Sequence, residues 1–283
     1  NRLLRALQDV LCHLAAEGVA VILLKGAGMA KAVYGNVAVR PMFDLDLLVP
    51  AAEVDRARTV LAGLNYAMLS SEPWAGFSQR YRHAMAYRRL SDGKKRPFHV
   101  DLHWGLLNAP YYERILVEDW FARAQPARVA GVEALVPAAE DHLVYLCGHL
   151  ALHHRYDPAL FRYYDVAVLI HHTDDVLDWD AVVQRAVDWR LVIPLQRMLA
   201  RLEELWPQSV PASVAQEVAG LQPTRTERWI HKWVVDRRRN RTSDVLLSLA
   251  AMPGLTRRVR FFLEQALPSP AYMRQRYCPR RPG

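Results

Sequence analysis

The sequence lacks the features of several large protein classes. It contains three cysteines, Cys12, Cys147 and Cys278, an odd and widely spaced set that fits a reducing cytoplasm better than a disulfide framework. No apolar run approaches the roughly 18 residues that a membrane-spanning helix needs. The first residues also lack the charged-then-apolar order of a signal peptide. These absences predict a cytoplasmic protein without membrane contact.

Motifs that bind nucleic acid are missing as well. The 283 residues carry a formal net charge of +8, which suggests an anionic partner. Much of the excess lies in three arginine-rich stretches, 237–241, 257–260 and 274–281. No RNA-binding aromatic motif, zinc-finger spacing or helix-turn-helix signal accompanies them. Nucleic acid is therefore only weakly supported as a partner, and solvated helix faces explain the arginines equally well.

What the sequence does contain is a pair of aspartates in an alternating stretch. Residues 43–49 read as a strand in which Asp44 and Asp46 lie on the same face. Like charges so close together repel and raise each other's pKa unless a cation lies between them. Carboxylate oxygens suit Mg²⁺, which also binds the phosphates of substrates. A solvated acidic strand edge is the alternative interpretation of an isolated Asp-x-Asp.

A third carboxylate is predicted on a later strand. Residues 96–102 alternate, and Asp101 lies on the polar face of that strand with His99 and His103 beside it. The preceding residues 91–95, Ser-Asp-Gly-Lys-Lys, are typical of a hairpin turn. For His99 and His103, exposed positions on the polar face are the simpler interpretation, although both share the face of Asp101.

A possible phosphate-binding segment precedes the paired aspartates. A buried strand is predicted at residues 19–24 and a helix from Met29 to Tyr34, with Lys25-Gly26-Ala27-Gly28 between them. The first amides of a helix have no internal partner and point toward an anion. Strand, glycine turn and helix therefore indicate a phosphate cradle, although two glycines alone also fit a plain tight turn.

The chain changes from a mixed to a helical pattern near residue 137. Before it, helices are predicted at 2–17 and 52–64 and a short β pair within 126–136. Beyond Pro137 the predicted elements are all helices, at about 138–154, 160–172, 178–190, 193–206, 211–220, 224–236, 242–251 and 254–266. We therefore expect an α+β protein with two domains, 1–136 and 137–283.

Several polar residues allow two interpretations. His149 and His153 are four residues apart on one predicted helix, either facing a cleft or packed inside; zinc is disfavoured because no Glu follows His149. Arg40 is expected either to bind phosphate or to pair with an aspartate. Asp165 lies in an apolar stretch, where an unpaired carboxylate is costly, so we expect it to pair with an Arg or a His.

In this order, the residues resemble a known group of enzymes. A strand followed by Lys25-Gly26, then Asp44-x-Asp46 and a later Asp101, follows the order of the nucleotidyltransferase superfamily that includes DNA polymerase β. More closely, the chain resembles the bacterial family of uncharacterised nucleotidyltransferases. That resemblance also rests on Arg40, His149, His153 and the stretches 100–104, 164–169 and 267–274.

The resemblance implies a polymerase β-like domain, a small mixed sheet with helices, followed by an all-α domain. Asp44, Asp46 and Asp101 would hold two Mg²⁺ ions, and Asp101 would help to deprotonate the attacking hydroxyl. AMP from ATP would pass to a hydroxyl of a peptide, protein or small molecule. The residues implied to contact the nucleotide are Lys25, Gly26, Gly28, Arg40, His149 and His153.

One departure from the superfamily leaves two alternatives open. The superfamily commonly has Gly followed by Ser in the first turn, whereas Lys25-Gly26-Ala27-Gly28 has no hydroxyl, and Lys25 would supply a cation instead. A catalytically inactive nucleotide-binding or scaffold protein is the first alternative. An RNA end-modifying nucleotidyltransferase, supported only by the basic C-terminal helices, is the second.

Overall fold

The computed structural model describes residues 2–35, 40, 42, 44–90, 99–111, 114–173, 175–236 and 241–277. The predicted hairpin turn at 91–95 and the arginines at 237–239 lie outside these residues. No helix among the described residues is long and apolar enough to cross a membrane.

A seven-stranded mixed sheet with helices forms the first half of the chain. Its strand order is β3-β4-β5-β2-β1-β7-β6, with β2 parallel to β5 and antiparallel to β1. In chain order the elements are α1 (Arg2–Ala16), β1 (Ile22–Leu23), α2 (Lys25–Ala32), β2 (Asp44–Leu48), α3 (Val54–Gly63), β3 (Tyr66–Met68), α4 (Phe77–Tyr81), β4 (Ala84–Arg89), β5 (His99–His103), α5 (Val117–Arg123), β6 (Gln125–Val129) and β7 (Val132–Val136).

The regular structure described after β7 is helical, which confirms the predicted α+β class. The helices are α6 (Ala139–Leu152), α7 (Leu160–Thr173), α8 (Trp179–Asp188), α9 (Val192–Leu205), α10 (Ala212–Gly220), α11 (Arg225–His231), α12 (Arg241–Ala251), α13 (Leu255–Ala266) and α14 (Pro270–Tyr277). A π-helical turn, Lys232–Asp236, continues α11. The division into two domains at residue 136 stays a prediction, because one hydrophobic cluster joins Leu48 of the sheet to Leu143 of α6.

The alternation in β2 assigns its two faces to different cores. Leu45 and Leu47 are fully buried in one cluster with residues of α1 and α3. Leu48, on the other face, is buried with residues of α6. Burying such side chains stabilises the fold by about 1.5–3 kcal/mol each, and a slip of one residue would exchange the two faces. The register of β2 is therefore fixed, and Asp46 is held facing the helical half.

Helix α2 begins earlier than predicted, at Lys25 rather than Met29, so the two glycines lie in its first turn instead of in a separate loop. Lys25 adopts a left-handed conformation, with φ of 44°, directly after Leu24. A Cβ on Gly28 would lie 2.4 Å from the carbonyl oxygen of Leu23. Gly28 thus allows α2 to pack closely on β1, and its contact with a nucleotide stays a prediction.

Candidate active site

Parallel pairing of β2 with β5 brings together the aspartates that the sequence predicts on two strands. The register sets Asp46 beside Asp101 and Asp44 beside His99. One oxygen from each of Asp46 and Asp101 and one ring nitrogen of His103 all lie within 4.8 Å of one another. The sheet therefore presents a compact group of two carboxylates and one imidazole, which we call the acidic group.

Asp46 is the charged centre of the acidic group. It is only 3% exposed, and its Oδ1 accepts hydrogen bonds from Lys25 Nζ at 2.6 Å and from His103 Nε2 at 3.0 Å. Burial alone raises the pKa of this carboxyl, but Lys25 and His103 outweigh burial and leave the pKa well below its ordinary value. Asp46 is therefore an anion throughout the physiological pH range.

Asp101 and Asp44 are shifted in the opposite direction. Burial, followed by repulsion from the Asp46 carboxylate, raises the pKa of both side chains. A cation bound against Asp46 and Asp101 would relieve that repulsion. Asp44 lies on the same face of β2 but does not belong to the acidic group, so its role as a metal ligand stays a prediction.

His103 is a site residue whose position the sequence analysis misjudged. It was expected at an exposed position, yet it is 3% exposed and bonded to Asp46. Because an ionised carboxylate can only accept, His103 Nε2 carries the proton of this bond. Its Nδ1 is buried without a hydrogen-bond partner among the described residues. The available signal was the spacing, two residues from Asp101 on the same strand face.

Lys25 supplies a cation next to the acidic group. Burial lowers the pKa of its ammonium group, but Tyr145 and Asp46 outweigh burial, and the pKa is raised above its ordinary value. The prediction that Lys25 provides a positive charge at this turn is consistent with its geometry. In this structure the ammonium group of Lys25 is paired with the carboxylate of Asp46.

A cavity of about 500 Å³ opens between the sheet and helices α6 and α7, and we call it the front cavity. Lys25, Gly26, Asp44 and Asp46 form part of its lining. Its volume falls within the range of small-molecule sites. The lining also contains two aromatic side chains and one cation that the sequence analysis missed. These are Phe161, 54% exposed, Tyr164, 48% exposed, and Arg162.

Arg40 and Asp165 close the front cavity on the helical side. Arg40 Nε and Nη2 donate to the two carboxylate oxygens of Asp165 at 3.1 and 2.6 Å, and the Tyr34 hydroxyl donates to Oδ1 at 2.9 Å. The expected pairing of Asp165 with an arginine is confirmed, and of the two interpretations of Arg40 the aspartate pair is the one observed. A Cβ on Gly26 would lie 2.6 Å from Arg40 Nη1, so Gly26 leaves room for this guanidinium.

His149 and His153 stack on each other between two cavities, and we call this pair the histidine partition. Their rings stack with centroids 4.9 Å apart, and His149 lines the front cavity while His153 lines a second cavity. Burial, followed by the charge of Lys25, lowers the pKa of His149 well below its ordinary value. His149 is therefore a neutral hydrogen-bonding group, and its contact with a nucleotide stays a prediction.

Comparison with known proteins identifies a family for this sequence. A family model described as "Uncharacterised nucleotidyltransferase" matches residues 1–207. No curated protein matches the chain.

The chain is similar to three solved structures. The solution structure of the antibiotic-resistance factor ANT(2'')-Ia shares 12% identity at a TM-score of 0.45, over 72% of this chain and 95% of that chain. The crystal structure of ANT(2'')-Ia in complex with adenylyl-2''-tobramycin shares 11% at 0.46, over 71% and 99%. An antigenic nucleotidyltransferase-like protein from Paracoccidioides brasiliensis shares 15% at 0.45, over 75% and 92%.

Proposed function

Because the chain belongs to the uncharacterised nucleotidyltransferase family, and is by that membership a nucleotidyltransferase, we propose that it transfers AMP from ATP to a hydroxyl of a peptide, protein or small molecule. The observation that carries this proposal is the parallel register that sets Asp46 beside Asp101 next to the front cavity. Rigid adjacent strands hold catalytic groups at fixed separations better than loops do.

The front cavity is the proposed nucleotide site. Lys25 and Arg162 provide cations for the triphosphate, and Phe161 and Tyr164 provide exposed rings against which a base can pack. The first amides of α2, at Gly26, add donors toward an anion. Arg40 and His149 complete the proposed contacts, whereas Gly28 serves the packing of α2 and His153 lies in the second cavity.

The acidic group fits a divalent cation. The carboxylates of Asp46 and Asp101 lie beside each other, and Asp44 lies on the same face of β2 as Asp46. The raised pKa values of Asp101 and Asp44 show that negative charge is crowded here, and such an oxygen-rich set suits Mg²⁺. We assign Asp46 and Asp101 as ligands, with Asp44 as the third. When bound, the metal neutralises phosphate charge and favours the ionised form of the acceptor hydroxyl. His103 acts as a positioning residue, because its hydrogen bond fixes the orientation of the Asp46 carboxylate.

The proposed reaction is an in-line substitution at the α-phosphorus. The acceptor oxygen forms a bond to this phosphorus, the bond from the phosphorus to the bridging oxygen breaks, and pyrophosphate leaves. Asp101, held beside Asp46 by the parallel register, accepts the hydroxyl proton. When the nucleotide binds, the ammonium group of Lys25 leaves Asp46 and pairs with the phosphates, where it supplies positive charge.

A nucleotide-binding protein without turnover is the second candidate. The observation that favours it is the ion pair between Lys25 and Asp46, since an ammonium group 2.6 Å from the carboxylate provides the countercharge that a metal would otherwise supply. RNA end modification, the third candidate, rests on the basic C-terminal stretches alone.

Labelled transfer separates the three candidates. The protein is incubated with each α-³²P-labelled NTP, Mg²⁺ and a cell extract, and Asp46→Asn serves as the control. Label from ATP on a peptide, protein or small molecule, seen with the unaltered protein only, is the result we expect. Label on RNA would favour the third candidate. No label anywhere, together with a thermal shift caused by NTP and Mg²⁺, would favour the second.

A further inference from the structure

A second cavity of about 600 Å³ lies on the other side of the histidine partition, and we call it the rear cavity. Its lining comes from α4 and the start of β4 on one side and from α12, α13 and α14 on the other, and it includes Phe77, His83, Asp244, Ser248 and Arg276. The three C-terminal helices lie beyond residue 207, where the match to the family model ends. The rear cavity is therefore built jointly by the part of this chain that the family model describes and by the part that it does not.

Contacts of three kinds join the two sides of the rear cavity. Trp74 Nε1 donates to the carbonyl oxygen of Leu267 at 2.9 Å, and Arg80 Nη2 lies 2.9 Å from Glu264 Oε2. Phe77 and Phe261 belong to one small hydrophobic cluster that joins α4 to α13. These contacts hold the C-terminal helices against the first half of the chain.

Two ring contacts join the rear cavity to its surroundings, one to the front cavity and one to the acidic group. His153, in its lining, stacks on His149 of the front cavity. His83, also in its lining, has its ring centroid 5.7 Å from that of His103, which bonds to Asp46. A ligand in the rear cavity would thus lie beside His83, whose ring packs next to His103 of the acidic group.

We propose that the rear cavity binds the acceptor, and that the acceptor is a short acidic peptide segment that presents a hydroxyl. This inference rests on the proposed nucleotidyl transfer and names its acceptor class. Among the described lining residues, two arginines, Arg82 and Arg276, stand against one carboxylate, Asp244. The lining therefore disfavours a polycationic acceptor and favours an anionic one.

The remaining lining side chains favour a peptide over a nucleic acid. Asn108, Gln265 and Ser248 offer both donors and acceptors, which suit peptide backbone groups. The aromatic side chains pack against one another instead of offering free faces, with ring centroids of Tyr81 and Phe261 4.9 Å apart and of Phe77 and Phe261 5.8 Å apart. Single-stranded RNA is bound by stacking bases on free aromatic faces, and such faces are not available in this cluster.

The test uses the full chain with Mg²⁺ and a non-hydrolysable ATP analogue. Three pools of fluorescein-labelled heptapeptides with a central serine carry acidic, neutral or basic flanks, and binding is followed by anisotropy. The altered protein carries Arg82→Glu and Arg276→Glu. The matched control carries Arg88→Glu and Arg274→Glu, which reverse exposed arginines on β4 and on α14 outside the cavity.

We expect the acidic pool to bind at least about fivefold more tightly than the neutral pool. Reversal of Arg82 and Arg276 should weaken its binding about tenfold, and the control less than about twofold. Equal binding of all pools, preference for the basic pool, no binding, or equal effects of the two altered proteins would each overturn the proposal. An RNA oligonucleotide that binds more tightly than the acidic pool, displaces it and loses its own binding in the cavity variant would overturn the proposal in favour of RNA.

The same proteins in the α-³²P transfer assay separate this inference from the proposed function. The expected binding pattern without label on any peptide would leave the acceptor site standing and remove the transfer reaction. Label on a peptide, with a KM for that peptide that reversal of Arg82 and Arg276 does not change, would keep the transfer reaction and remove the rear cavity as its acceptor site.

Discussion

The two walls of the front cavity hold their charges in different ways. On the wall formed by the sheet, Asp46 is paired with Lys25 and lies beside Asp101 of the adjacent strand, directly behind the lining. On the wall formed by α6 and α7, Asp165 is bonded by Arg40 on both oxygens and by Tyr34, and burial keeps His149 neutral.

This difference indicates that the two walls have different roles in the site. The strand wall has excess negative charge and raised pKa values, which are features of groups that bind a cation or move a proton. The helical wall has its carboxylate fully paired, which is a feature of a structural element that shapes a binding site. We therefore expect substitutions on the strand wall to act mainly on transfer and substitutions on the helical wall to act mainly on nucleotide affinity and stability.

The largest effect should follow Asp46→Asn. Loss of this ligand should lower transfer by about 10³-fold. It should also reduce the free energy of unfolding by about 3 kcal/mol, because Lys25 would lose its buried partner. A labelled-transfer assay and denaturant unfolding measure the two effects. Asp44→Asn is the matched control, since it changes the same charge outside the ion pair and should cost less than about 1 kcal/mol. Equal losses of unfolding free energy in the two variants would contradict the ion pair between Lys25 and Asp46 as the source of that stability.

Asp101→Asn should give the next largest effect and separates chemistry from binding. Transfer should fall by about 10²-fold, the lower limit of what a positioned base contributes. Affinity for the NTP should stay within about threefold, since Asp46 still anchors the metal, so the loss lies in the chemical step. Calorimetric titration beside the transfer assay measures both quantities. A parallel fall in affinity would make Asp101 an ordinary ligand of the bound nucleotide.

On the helical wall, Arg40→Met should raise the Kd for NTP by about tenfold, because Gly26, Tyr34 and Asp165 lose the group around which they are arranged. The free energy of unfolding should fall by about 3 kcal/mol, since Asp165 would be left buried without its arginine. The control is the double variant with Arg40→Met and Asp165→Leu. It should regain part of that stability, because it no longer contains the unpaired carboxylate. An unchanged NTP Kd in a folded Arg40→Met protein would remove Arg40 from the site.

The smallest effect concerns the buried imidazole of His142 on α6. Burial, followed by the charge of Arg40, lowers the pKa of His142 to about 3. The folded form thus stays neutral while the unfolded chain takes up a proton below about pH 6.5. This contribution to stability is present above about pH 6.5 and is lost as the pH falls toward 3, by about 2 kcal/mol between pH 7 and 5. His142→Asn should flatten the pH dependence by that amount in denaturant titrations, and an unchanged slope would contradict it.

Much of the strand wall could be predicted from the sequence because its information is local. Alternation with a period of two places Asp44 and Asp46 on one face and Leu45 and Leu47 on the other, and it does the same around Asp101. The sequence does not state which strands are neighbours, so the pairing of Asp46 with Asp101 came from the family resemblance. His103 was misjudged because the alternating pattern does not show that its face is covered by the helical half.

The helical wall and the rear cavity depend on contacts between distant residues. Arg40 and Asp165 are 125 positions apart, and the sequence indicated only that each needed a partner. The helices α4 and α5 are too short for a periodic pattern to reveal them. Helices α13 and α14 pack near α4 and so enclose the rear cavity. This packing depends on contacts between distant residues, such as Trp74 with Leu267, for which the sequence carries no local signal.

The most direct measurement of nucleotidyl transfer uses ATP labelled in two positions. Parallel reactions with α-³²P-ATP and γ-³²P-ATP are run with a cell extract, Mg²⁺ and either the unaltered protein or Asp101→Asn. We expect the α label on the acceptor, the γ label in pyrophosphate in equal amount, and both reduced by about 10²-fold in the variant. The γ label on the acceptor, or α-label transfer that is unchanged by Asp101→Asn, would contradict a nucleotidyltransferase centre at Asp46 and Asp101.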